Sequence, residues 1–239
     1  MSARRFTVAT ATLALGYAIA AGLFWALLNV PESTVLALTL SAALVLAIAA
    51  TLGSTIAAST AIGDGASGAE VASRSIAALP AFALGVIVFA ALWWLTGAID
   101  AWWRAHRGEI DATFIRYLNV ARTQPLHQAM FWIVWAVRWV IGLSVVAALV
   151  TTAATRDMHV VGAGLRNAVR PAPLGAGLAA AILLTGLWRL VYWRPARLAS
   201  RLEPTFVASK LAVLYLAAVS IVALALTVHR RAARASGDS

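Results

Sequence analysis

Polar residues along this chain are few and gathered into short clusters. Between the clusters lie six apolar stretches, at about 7–29, 33–60, 76–99, 126–153, 174–193 and 205–228. A hydrocarbon core of about 30 Å needs roughly 20 apolar residues in a helix rising about 1.5 Å per residue, and each stretch meets that length. The pattern predicts an all-α polytopic membrane protein, with six transmembrane helices in a compact bundle. A single integral membrane domain then fills 1–239, and 229–239 forms a basic cytoplasmic tail. The first apolar run continues from Thr7 to Leu28 behind the basic MSARR. That is longer than the roughly 7–15 residue core of a secretory signal, so it reads as an uncleaved first span.

Composition supports this class. The chain is 62% hydrophobic and only 12% charged, against about a quarter charged in soluble domains. It has no cysteine, which excludes disulfides, thiolate nucleophiles and cysteine-held metal. The net charge of +10 invites a nucleic-acid reading. In a multi-pass protein, however, arginine-rich loops set topology and hold anionic headgroups, so membrane lipids are the expected partners and nucleic acid is not.

In the six-span reading all ten tryptophans fall on one side, as an interfacial belt. Nine arginines lie on the opposite side and seven on the tryptophan side. This bias, with basic segments at both ends, places both termini inside a bacterial inner membrane.

The stretch GDGASGAE, residues 63–70, holds the one catalytic-looking motif. Its G-x-S-G matches the serine motif of rhomboid proteases, but it falls in a loop between spans 2 and 3, and the nearby candidate histidine by sidedness, His229, is placed in the tail. Its Asp64-Gly65 pair begins like the motif of lipid-alcohol transferases, without the arginine and later aspartates that motif needs. The structural reading explains more: Ser67 and Glu70 form S-x-x-E, a capping box, with Gly63 and Gly65 turning the chain before it. No catalytic residue is assigned.

Short amphipathic helices are expected before spans 3 and 4. The second, within DAWWRAHRGEIDATFIRYLNVARTQP, follows a break at Gly108 and places Ile110, Phe114, Tyr117 and Leu118 on one face. The segments AEVASRSIAALPAFALG and VGAGLRNAVRPAPLGAG resemble each other, which suggests a duplicated two-span unit; independent convergence is the other reading. Small residues four apart (Ala14, Ala18 and Gly22; Ala43 and Ala47; Ala50 and Ser54; Gly177 and Ala181) mark sites where helix backbones could approach closely.

Three cations interrupt the spans: Arg138, Arg189 and Lys210. Charges there are costly and raise the question of function. Trp135 and Trp139 flank Arg138, and His127, eleven residues earlier, shares its helix face. If spans 4, 5 and 6 adjoin, these residues could line one anion or lipid-headgroup site rimmed by tryptophan. Snorkelling to the interface is the competing reading. No metal or cofactor is expected, because no histidine and carboxylate pair has ligand spacing on a helix.

Six spans with ASGAEVASRSIAALP before span 3 and GAGLRNAVRP before span 5 resemble YciC-like inner-membrane proteins. They are also similar to the membrane domains attached to some glycerophosphodiester phosphodiesterases. The resemblance implies no catalytic residues, and no counterpart of the phosphodiesterase domain lies in 1–239. The expected function is a non-enzymatic, lipid-interacting or accessory component of a membrane complex, with a possible protein partner. A small transporter or permease subunit and a lipid-modifying enzyme are the alternatives.

Overall fold

The computed structural model describes residues 2–31, 34–118, 122–155, 161–193 and 203–235, and among these there is no strand. Six helices are long and apolar enough to cross a membrane. They are α1 (Ala3–Leu28), α2 (Val35–Asp64), α4 (Leu79–Ala105), the composite Gln124–Thr155, α9 (Pro171–Tyr192) and α10 (Glu203–Ala235). Three short helices join them: α3 (Gly68–Ala77), α5 (Arg107–Leu118) and α8 (Val161–Ala168). The polytopic all-α architecture is therefore as the sequence predicts, including the short helices before spans 3 and 4.

Local chemistry sets the boundaries. Ser2 and Thr34 cap α1 and α2, accepting from the Arg5 and Ala37 N–H groups at 3.4 and 3.1 Å. Ser67 occupies the N-cap of α3, and the Glu70 carboxylate accepts from the Ser67 N–H at 2.7 Å. This bond, with a second from the Ser67 hydroxyl, holds the Glu70 carboxyl below its usual range. Pro80, Pro125 and Pro171 sit in the first turns of α4, of α6 (Gln124–Trp135) and of α9, where a missing N–H leaves nothing unsatisfied.

Three boundaries differ from expectation. The α2 helix runs through Gly63 to Asp64, and only Gly65, at φ 88°, takes the left-handed cap conformation. The break after span 3 falls at His106, not Gly108. The His106 ring stacks on Trp102 and its Nδ1 lies 2.9 Å from the Trp102 carbonyl oxygen, which also accepts from the His106 N–H at 3.0 Å. Finally, α10 continues to Ala235 with His229, Arg230 and Ala233 buried, so 229–235 is packed helix instead of a free tail.

Span 4 is the axis of the bundle. It comprises α6, a π-helical turn at Ala136–Ile141 and α7 (Gly142–Thr155). Its apolar window is 44% buried, against 17% or less for every other span. α7 presents Gly142, Ser144, Ala148, Thr151 and Thr152 inward, all small enough to let neighbours close in. Large side chains such as Leu36, Ile87 and Trp94 face outward.

Close approach is concentrated at glycines. A Cβ on Gly16 would strike the Thr55 side chain, and one on Gly177 the Ser144 hydroxyl. One on Gly53 would lie 2.7 Å from the Phe82 ring, and one on Gly142 2.6 Å from Phe89. Of the small-residue pairs expected at contacts, Gly177 and Ala181 are both buried. Ala18, Gly22, Ala43 and Ala50 are exposed; alanine is so common here that spacing alone does not select the contacting face.

The internal resemblance has a structural counterpart. Span 3 packs on span 4 as span 5 packs on span 6, and spans 2, 4 and 6 lie side by side in sequence. α3 rests on α2 and touches α7; α8 rests on α7 and touches α10 in the same manner. The arrangement thus advances two spans at a time.

Replacing Gly16 by valine should destabilise the bundle by about 1–3 kcal/mol through overpacking. Gly22→Ala, in open space, should be neutral or stabilising by up to about 1 kcal/mol. Thermal unfolding in detergent compares the two.

Candidate functional site

One face of α4, formed by Trp93, Thr96, Asp100 and Trp103, receives the polar groups of span 4. The π turn directs Arg138 toward it: Nε donates to Thr96 Oγ1 at 2.8 Å, and the guanidinium carbon stands 4.8 Å from the Trp93 ring centre. Thr96 in turn donates to the Leu92 carbonyl at 2.7 Å, which leaves its oxygen oriented to accept. Trp139 meets Trp93 edge to face at 5.4 Å. No carboxylate among the described residues pairs with Arg138. Its charge is met by a hydroxyl and an aromatic face.

His127 faces the same side of α4, as its shared face with Arg138 implied. Trp103 Nε1 donates to His127 Nδ1 at 3.0 Å, and His127 Nε2 lies 2.8 Å from Asp111 Oδ1. An indole N–H can only donate, so Nδ1 carries the lone pair and Nε2–H donates to Asp111. Partial burial raises the Asp111 pKa, but hydrogen bonds from Thr123 and His127 outweigh it and hold the carboxyl below its ordinary value. Both ring nitrogens are committed, so the His127 ring has no lone pair free to act as a base or metal ligand. It fastens α5, which packs on little else, to the start of span 4.

Lys210 behaves differently again. Its ammonium donates to the Val191 and Trp193 carbonyls, each at 2.7 Å, capping the negative end of α9. Arg189 is exposed. The three cations anticipated in one pocket therefore occupy three separate seats: Arg138 on α4, Lys210 on the end of α9, and Arg189 on the outer surface.

Trp135 and Trp139 also line a groove against α9. With Leu143 they form one wall; Ala181, Leu184, Thr185 and Trp188 of α9 form the other, enclosing about 460 Å³. A second groove of about 360 Å³ lies between α9 and α10, with Trp193, Phe206 and Lys210 on its walls.

The sequence reading overlooked a cluster at the opposite end. Asp64 closes α2 with its side chain 8% exposed, paired with Arg234 and lying 3.4 Å from Arg230 Nε. The available signal was the i, i+4 spacing of Arg230 and Arg234 among alanines, which extends the last helix and aims both at one partner. Among the described residues no three His, Asp or Glu side chains converge as a metal cage.

Comparison with protein-family models, with curated proteins and with solved structures returns no match.

Two outcomes follow from these seats. A carboxylate whose pKa is depressed on folding stabilises above its unfolded value and loses that contribution as pH falls through the folded one. The melting-temperature advantage of wild type over Asp111→Asn should thus persist down to about pH 4 and vanish on further acidification. Lys210→Met should cost about 1–2 kcal/mol by uncapping two carbonyls, read by thermal unfolding in detergent, whereas Arg189→Met should cost nothing measurable.

Proposed function

We propose that the protein is a non-enzymatic, multi-pass component of a bacterial inner membrane that holds an anionic lipid beside its fifth span and serves a membrane assembly as an accessory. The groove between the π turn and α9 carries this reading. A cleft opening between two spans meets acyl chains, and its walls of tryptophan, leucine and alanine suit them. Positive charge stands beside it: Arg189 follows the lining residue Trp188 and is exposed, so a lipid phosphate at the mouth of the groove would satisfy it. A π turn is itself a frequent mark of functional positions, since it interrupts helix bonding.

The arginine bias supports cytoplasmic termini, with the groove toward the outer leaflet. An accessory role agrees with the resemblance to YciC-like proteins. Against an enzymatic role stands His127, whose ring is already fully engaged.

Thr185→Trp fills the groove from an exposed position. Native mass spectrometry of detergent-extracted protein should show wild type carrying an anionic phospholipid and this variant losing it. Arg189→Gln should weaken retention about 5-fold, the effect of one interfacial cation. Equal lipid loads in all three proteins would remove the proposal.

A further inference from the structure

The end of the molecule opposite the tryptophans carries a second, independent arrangement. α1 begins there, α2 and α10 end there, and α3 begins beside them. Four guanidiniums converge on the last turn of α2. Arg230 and Arg234 pair with Asp64, and Arg74 acts on it electrostatically from α3. Arg5 lies over Gly65, 2.8 Å from where a Cβ would stand. Among the described residues, the carboxylates facing them are Asp64 and Glu70.

Two features distinguish this group from a solvated basic face. First, the helix end is cut away to receive it. A Cβ on Gly63 would overlap Arg230 Nη1, and Gly65 combines its positive φ with the Arg5 contact. Neither glycine tolerates a side chain without displacing a guanidinium. Second, the charges differ in exposure. Asp64 and Arg230 form a buried pin, with side chains 8% and 7% exposed, while the Arg234 side chain is 54% exposed. Arg5 is exposed and Arg74 half-buried. The pin fixes the outer guanidiniums at the boundary where α2 leaves the hydrocarbon, and planar forks in fixed positions suit phosphate oxygens.

We infer that Arg5, Arg74 and Arg234, anchored by the Asp64–Arg230 pair, form an interfacial binding site for the phosphodiester headgroup of an anionic phospholipid. Its place at the common end of three spans selects a lipid over a soluble phosphate, since the acyl chains lie against α1 and α10 while the headgroup meets the arginines. Asp64 keeps the site from collapsing under the mutual repulsion of its cations.

The test uses the full chain with Arg189→Gln as background, which removes the exposed cation beside the α9 groove and separates the two sites. Protein in mixed micelles of phosphatidylglycerol and phosphatidylcholine is examined by native mass spectrometry. The background protein should select phosphatidylglycerol. Adding Arg5→Gln and Arg74→Gln, which spare the buried pin, should lower that selectivity roughly 30-fold, at about 5-fold per interfacial cation. Arg5→Lys with Arg74→Lys, which keeps the charge, should restore most of it, and melting temperature checks that all variants fold. Selectivity unchanged by the glutamine pair, or absent from the background protein, overturns the inference. So does displacement of phosphatidylglycerol by millimolar inorganic phosphate, which would make the site a receptor for soluble anions.

Discussion

The bundle depends on backbone approaching side chain where glycine leaves room. Lipid tails are as apolar as leucine, so nothing expels the spans from the hydrocarbon into one another. What remains is dispersion at short range, and it requires surfaces that fit. Gly16 takes Thr55, Gly53 takes Phe82, Gly142 takes Phe89 and Gly177 takes Ser144. These contacts join spans 1, 2, 3, 4 and 5 in pairs around α7. Large apolar residues are consequently left for the outer surface, the reverse of their distribution in a soluble domain. Several threonines and serines can be buried here because they bond within their own helix, as Thr60, Ser75, Thr96 and Thr151 do, the last to the Ala147 carbonyl at 2.7 Å.

The same economy of space governs the charges. Among the described residues, no carboxylate pairs with Arg138 or Lys210. Lys210 satisfies the end of a helix, Arg138 uses a threonine oxygen and an indole face, and Arg189 stays at the surface. Asp64, buried, sits at a helix terminus with two arginines, where water and headgroups are near enough to limit the cost of desolvation. Polar groups are thus sorted to the two ends of the bundle, and its middle is closed by small residues.

The spans were legible because their signal is length and hydropathy, which do not depend on neighbours. The Ser67–Glu70 cap was legible because its chemistry is local. Helix ends were read short wherever polar residues continue a helix: Asp64 looks like loop in the sequence, and His229 to Ala235 looks like tail. Both are helical because they meet each other across 170 residues, a fact no local window contains. The site was only partly visible for a similar reason. Periodicity correctly put His127 and Arg138 on one face. At the π turn, Arg138 reaches α4, while Trp139 lies between Trp93 of α4 and the α9 groove. Convergence of Arg138, Arg189 and Lys210 required knowing which way each side chain leaves its helix, and depth alone does not specify that.

The stepwise likeness between spans 2 to 4 and 4 to 6 has a bearing on how such a chain could change in length. Inserting or losing one crossing reverses the sidedness of every loop beyond it, moving arginines and tryptophans to the wrong leaflet together. A unit of two crossings preserves parity. Each short helix stays at the same surface, and each tryptophan-bearing end stays at the other. The architecture can therefore be extended or trimmed only in even steps, and within that rule a new pair would find a neighbouring face already shaped to receive it.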